Sequence, residues 1–275
     1  MIDALLERAA TRFVFVVGKG GVGKTTTAGA ISLAFADKLQ NTHLISTDPA
    51  HSLRDLFQNQ VQNLRQNETC SDNLTVEEFN AREYADRLFE NLRQPLSELI
   101  ERGSYLDAKD AASFLDLSIP GIDEVMSAFR LVELLDSKAE HIVVDTAPTG
   151  HAIRLLDAGK VIESWISAGH ALSAKAGAVA SALMGRAVPM QADELLDEWN
   201  GAMARYRRDV LQQSSAVVVT RAGKVVEAET ARLIEQLRER GVRAAATISV
   251  GDFAASDFVV ARIERATGCA GLREW

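Results

Sequence analysis

Within this chain of 275 residues, Phe13 to Gly29 constrains the fold more than any other stretch: FVFVVGKGGVGKTTTAG. Five apolar residues, enough for a short buried strand, run into Gly18-Lys19-Gly20-Gly21-Val22-Gly23-Lys24-Thr25, and a helical pattern, TTTAGAISLAFADKL, follows. The loop has the spacing G-x-x-x-x-G-K-[S/T], in which glycines let the backbone wrap close enough for its N–H groups to face phosphate oxygens. The start of the following helix adds a dipole that favours an anion. Lys24 then reaches the β- and γ-phosphates, and Thr25 offers its hydroxyl to a magnesium ion. Strand, glycine loop and helix in this order form a phosphate-binding unit of α/β proteins. The expectation is nucleotide binding.

The rest of the chain supplies the strands such a unit needs. Apolar runs recur at His43–Ser46, Leu74–Phe79, His141–Val144, Ala216–Thr220 and Ala244–Val250. Most are too continuous for strands with one wet face, so they read as buried parallel strands. Helical patterns separate them; AETARLIEQLRERG ends at Gly241, a residue suited to a helix C-terminus. The predicted class is α/β, a doubly wound and mostly parallel sheet. Spacing between strands is uneven. Residues 81–135 and 152–213 are mostly helical, and Leu195, Leu196, Trp199, Met203, Tyr206 and Val210 fall on one helix face. We read 1–275 as a single phosphate-loop domain with these two stretches inserted as a helical cap. Gln58 to Asn73 is polar and turn-rich, which predicts a surface loop.

Charge and composition exclude several roles. A net charge of −8 and a pI near 5.3 argue against broad binding to nucleic acid, which needs a basic face. The one basic cluster, RYRRD at Arg205 to Asp209, reads as the wet face of a helix. Cys70 and Cys269 stand far apart without a CxxC, so there is no zinc or iron–sulfur ligand set. The opening MIDALLERAATR lacks the apolar core of a signal peptide. No unbroken apolar run of about 18 residues appears, so no membrane span is expected, and the expected location is the cytoplasm.

KGGVGKTT resembles the deviant Walker A motif of the ParA/MinD class of dimeric ATPases. STDPAHSLRDLF after the second run and VVDTAPTGHAIRLL at the fourth resemble the switch I and switch II segments of arsenite-pump and tail-anchored-protein targeting ATPases. SIPGIDEVMSAF and EAETARLIEQL match the same family in order. The resemblance implies a dimeric ATPase that converts ATP to ADP and phosphate with Mg2+. It implies that Lys19 reaches across the dimer to the partner's nucleotide, where a cation supplied in trans offsets charge on the transferring phosphoryl group. Asp48 would orient or deprotonate the attacking water, and Asp145 would hold the magnesium shell through water. Thr26 would contact the α-phosphate, and Gly150 and His151 would belong to the switch that senses the γ-phosphate. On their residues alone, Lys19 also reads as a solvated loop lysine, Asp48 as a helix cap and Asp145 as a strand-end turn residue. His51 and His151 lack the spacing of metal ligands.

The implied partner is a second copy, or a sister subunit in a heterodimer, together with a hydrophobic protein segment seated on the cap. The sequence departs from the family in places. The pump ATPase gathers arsenite with cysteines in its helical region, and Cys70 and Cys269 fall outside this one. The zinc-clamping CxxC of eukaryotic targeting ATPases is absent. Where relatives place an adenine-contacting asparagine, ATISVGD offers Ser249 or Asp252, and the chain stops soon after, at Trp275. Met126, Met184, Met190 and Met203 fall in the helical regions, and methionine adapts to varied surfaces. Trp165 to Met190, nearly uncharged and rich in small residues, reads either as an apolar lid or groove lining, or as a buried helix or disordered crossover. The rival expectation is a positioning or partition ATPase that binds nucleoid or membrane, which requires a basic face or an amphipathic terminus.

Overall fold

The structure is a computed structural model that describes residues 7, 11–49, 52–57, 71–88, 90, 121–184, 191–221 and 224–250. Cys70, Cys269, His51, Met190, Asp252, Trp275, most of the opening segment and most of the predicted surface loop of Gln58 to Asn73 lie outside the described residues. Six strands form one sheet: β1 (Phe13–Gly18), β2 (Thr42–Ser46), β3 (Leu74–Glu78), β4 (His141–Asp145), β5 (Ser214–Thr220) and β6 (Arg243–Ser249). Each lies within two residues of a run read from the sequence. The order is β3-β2-β4-β1-β5-β6, and every pairing is parallel. The sheet is therefore wholly parallel.

Two compact units divide the chain. The first comprises Met1–Asn80, Glu133–Leu156 and Arg208–Trp275; the second comprises Ala81–Val132 and Asp157–Arg207. In the first, α1 (Lys24–Ala36) packs on β1, β2 and β4, and α7 (Lys224–Glu239) on β5 and β6. Two shorter helices, α2 (Ser52–Leu56) and α4 (Thr149–Leu156), follow β2 and β4. Phe13 to Gly18 are buried throughout, as are Thr42–Ser46 and His141–Asp145. Such strands have no wet face, which is why they read as continuous apolar runs and not as alternation. α1 is buried on nearly all sides, from Thr27 through Ile31 and Leu33 to Phe35, whose ring stacks on His141 at 4.0 Å. Full burial explains a helix with no polar face.

The second unit contains α3 (Ile122–Glu133, whose last residue falls in the first unit), α5 (Ala158–Met184) and α6 (Gln191–Arg205), with α5 packed on α6. Leu196, Trp199, Met203 and Tyr206 are buried at spacings of three and four, the face expected from the sequence. Trp199 lies 5.9 Å from Phe129, ring centre to ring centre. Gly169 of α5 sits where an added Cβ would come within 2.7 Å of a Leu196 methyl, so any larger residue would make that side chain shift. The stretch from Trp165 to Met184 is one helix with a divided surface. Ile166 and Ser173 are buried, while Ser167, Ala168, Ala171, Ala174 and Lys175 are exposed. The RYRRD cluster lies at a π-helical turn, Tyr206–Leu211. Its arginines meet acids: Arg207 binds Glu163 and Arg208 binds Asp209 at 2.8 Å, so the cluster presents no unopposed basic face.

Candidate active site

The phosphate loop leaves β1 at the carboxyl edge of the sheet. A Cβ on Gly18 would lie 2.1 Å from the Val219 carbonyl oxygen, so any other residue would push the loop off β5. Gly21 (φ 73°) and Gly23 (φ 99°) adopt the left-handed conformation that glycine enters without cost. Gly20 lies beside Pro148. Val22, 3% exposed, anchors the underside of the loop in the core with Val14, Val16 and Val219. α1 then begins with the Thr27 amide donating to Gly23 O at 2.9 Å. Loop and helix start thus follow β1 in the order that the spacing predicts.

Strand register gathers the reactive side chains. Asp145, the last residue of β4, lies opposite Val16 of β1 and Ser46 of β2. Its carboxylate is fully buried, with Oδ2 accepting from Thr25 Oγ1 at 2.8 Å and from Ser46 Oγ at 3.3 Å. Burial raises its pKa to about 6. The Thr25 hydrogen bond and the charge of Lys24 oppose that rise, the charge of Asp48 adds to it, and the Ser46 bond opposes it. Lys24 is itself 6% exposed, and its ammonium curls over the loop to donate to Lys19 O at 3.3 Å. Burial lowers the Lys24 pKa, while Asp145 and Asp48 pull it back up. Lys24, Thr25, Asp48 and Asp145 thus form one electrostatic group.

The carboxylate of Asp145 fits a bound divalent cation in one specific respect. Oδ1 is buried and has no hydrogen-bond partner, whereas Oδ2 holds two donors. A buried carboxylate oxygen without a donor is costly, and magnesium takes hard oxygen ligands and waters. The Thr25 hydroxyl stands beside it. Asp48 is half-buried two residues after β2, its amide donating to Ser46 Oγ at 3.3 Å. Thr26 occupies the first turn of α1, and Gly150 and His151 the first turn of α4, where His151 pairs with Arg154 at 2.8 Å.

Lys19 is turned aside from this group. Its ammonium bonds Glu229 Oε2 of α7 at 3.0 Å, with the two side chains 57% and 42% exposed. The pair sits at a cavity of about 20 Å3 whose lining includes Gly18, Thr149, Thr220 and Thr230. Ser249, at the end of β6, is 6% exposed and its hydroxyl has no partner. Two residues of the site escape a reading of the sequence. Ser46 ends an apolar run inside the STDPAHS motif, and Glu229 lies within EAETARLIEQL. Both positions lie in matched motifs, but neither has a spacing that marks it.

A parallel sheet with a phosphate loop at its carboxyl edge defines a P-loop nucleotide-binding protein. The sequence profile of the anion-transporting ATPases matches residues 11–257, and the chain belongs to that family. It is 32% identical over 214 residues to "ATPase get3" of Pyrenophora tritici-repentis, covering 76% of this chain and 61% of that protein. It is 31% identical over 244 residues to "Putative arsenical pump-driving ATPase 2" of Aquifex aeolicus, covering 86% and 79%. Over 164 residues it is 37% identical to "ATPase ASNA1 homolog 2" of Paramecium tetraurelia, covering 59% and 49%. The chain thus matches from about half to about four fifths of the length of these relatives.

Proposed function

We propose that this chain is a nucleotide-dependent dimeric ATPase that cleaves ATP to ADP and phosphate and uses closure of the dimer to control a protein partner. The observation that carries the reading is the asymmetric Asp145 carboxylate, with one oxygen held by Thr25 and the other buried without a donor, next to the buried Lys24. Magnesium, held by Thr25 and by Asp145 through water, would supply charge neutralisation at the β- and γ-phosphates. The chain's own groups do the remainder. Backbone N–H groups from Gly18 to Gly23 cradle the phosphates, Lys24 bears on the terminal pair, and Thr26 contacts the α-phosphate. Asp48 orients a water whose oxygen attacks the γ-phosphorus as the bond to the β,γ-bridging oxygen breaks. The water's proton passes to the Asp48 carboxylate or to the departing phosphate.

Lys19 completes the neighbouring site on closure, and Gly150 with the start of α4 carries the state of the γ-phosphate outward. In this reading the helices of the second unit form the cap, and the partner is a hydrophobic or amphipathic protein segment. The second protomer is a copy of this chain or a sister subunit, and the setting is the cytoplasm. Family membership supports ATP as the nucleotide; the exposed arginines of the RYRRD cluster, Arg207 and Arg208, pair with acids and give no support to a nucleic-acid partner. The test is a measurement of mass and hydrolysis with ATP and Mg2+. Wild-type protein turns over, Asp48→Asn accumulates as a nucleotide-filled dimer, and Lys24→Ala does neither. A folded wild-type protein that stays monomeric and inactive with ATP and Mg2+ overturns the reading.

A further inference from the structure

Ser46 occupies the junction between the two aspartates of the site. It is the last residue of β2, it lies opposite Asp145 in the β2–β4 pairing, and it is 1% exposed. A hydroxyl has one proton to give and lone pairs to receive, and Ser46 uses both. It donates to Asp145 Oδ2 at 3.3 Å and accepts the Asp48 amide N–H at 3.3 Å. Thr25 of α1 donates to the same Oδ2, so two elements fix the plane of the carboxylate and leave Oδ1 as the oxygen without a donor. The backbone follows the same line, since the Thr47 amide donates to Asp145 O at 3.0 Å. The chain leaves the sheet here, and the position of Asp48 depends on how this exit is held.

We propose that Ser46 is a positioning residue for hydrolysis: its hydroxyl ties the Asp145 carboxylate to the backbone of Asp48, so that the placement of one aspartate sets that of the other. The proposal rests on the roles given to Asp48 and Asp145 above. Ser46 differs from a buried serine whose hydroxyl bonds only a carbonyl of its own helix. Ser32 does this in α1, with Oγ donating to Ala28 O at 2.8 Å and no exposure. Ser32 therefore serves as the matched control. Loss of either hydroxyl removes one buried hydrogen bond, but only loss of Ser46 disconnects the aspartates.

The experiment combines amide exchange in the nucleotide-free protein with steady-state kinetics. In Ser46→Ala the Asp48 amide exchanges about fivefold faster or more, as expected for one lost hydrogen bond. Asp145→Asn also speeds that exchange, and the double variant is no faster than the faster single variant, because both changes break one link. With ATP, Ser46→Ala loses about tenfold or more in kcat while KM stays within about threefold. Ser46→Thr, which keeps the hydroxyl, recovers both readouts. Ser32→Ala keeps wild-type kcat and wild-type exchange at Asp48. Unchanged Asp48 exchange in Ser46→Ala, or additive effects in the double variant, overturns the coupling even if Ser46→Thr fails to fold. An inactive wild-type protein overturns the functional reading and the hydrolytic role of Ser46 together; a wild-type rate in Ser46→Ala from an active parent overturns the Ser46 role alone.

Discussion

Two lysines five positions apart on one loop occupy opposite environments. Lys24 is 6% exposed, covered by the loop it serves, and electrostatically joined to Asp145 and Asp48. Lys19 is 57% exposed and held by a glutamate of α7 that is itself 42% exposed. A buried ammonium is kept charged by its acidic neighbours and has nowhere else to go. An exposed pair is worth about 0–1 kcal/mol and exchanges readily with solvent. The difference teaches that one loop can hold one lysine inside the site and another in an exchangeable surface pair.

Alanine at each position gives the sharpest contrast. Lys19→Ala is expected to lower turnover by about 10³-fold or more, the range for a charge supplied to a phosphoryl transition state in trans. Nucleotide affinity by calorimetry stays within about threefold. Lys24→Ala loses affinity and turnover together. If Lys19→Ala hydrolyses ATP at the wild-type rate, the contrast between the two lysines disappears.

The next effect concerns stability and pH. The Asp145 pKa, raised by burial to about 6 from an ordinary value of 3.8, means that between about pH 4 and 6 the folded protein holds a proton that the unfolded chain has released. The stability tied to that proton is fully present below about pH 4 and is lost as pH rises through about 6. Above that, the buried anion costs on the order of 3 kcal/mol. Asp145→Asn should therefore raise the nucleotide-free protein's urea midpoint at pH 7.5, with a gain that shrinks as pH falls through about 6 and is gone below about pH 4. A gain that is constant with pH, or a loss, would mean that Lys24 and Thr25 already compensate the charge in full.

The two ends of α1 extend the comparison to the backbone. Both are left-handed: Gly23 at the start (φ 99°) and Leu39 just past the end (φ 63°), where leucine is 80% exposed. Glycine escapes the steric cost of this conformation, about 1 kcal/mol, and leucine does not. Leu39→Gly is expected to stabilise the fold by up to about 1 kcal/mol in denaturant melts, with ATP turnover unchanged. Gly23→Ala should destabilise the loop and abolish nucleotide binding. The smallest effect falls on the tether of Lys19. Glu229→Gln should change stability by less than about 0.5 kcal/mol and raise turnover at limiting protein concentration by no more than about fivefold. Lower turnover in Glu229→Gln would assign the glutamate a part in the closed state instead.

Much of the molecule was legible because burial and backbone geometry write themselves into local spacing. Continuous apolar runs located β1, β2, β4 and β5, since a strand covered on both faces needs apolar residues at nearly every position, and shorter apolar runs located the partly exposed edge strands β3 and β6. The glycines of Gly18 to Gly23 marked the loop, because a tight backbone admits little else. Leu196, Trp199 and Met203 marked the buried face of α6 by their period, which Tyr206 continues into the π-helical turn. What local spacing does not carry is the strand order β3-β2-β4-β1-β5-β6, and with it which strand ends become neighbours. Ser46 and Asp145 are 99 positions apart and meet only because β2 and β4 pair; Lys19 and Glu229 are 210 apart and meet only because α7 packs beside β5. Sequence alone settled a phosphate loop on a parallel α/β scaffold, since both follow from residue types at short range. Tertiary structure decided which hydroxyl holds which carboxylate oxygen and where the second lysine rests, since those pairings depend on long-range register and on the exclusion of water.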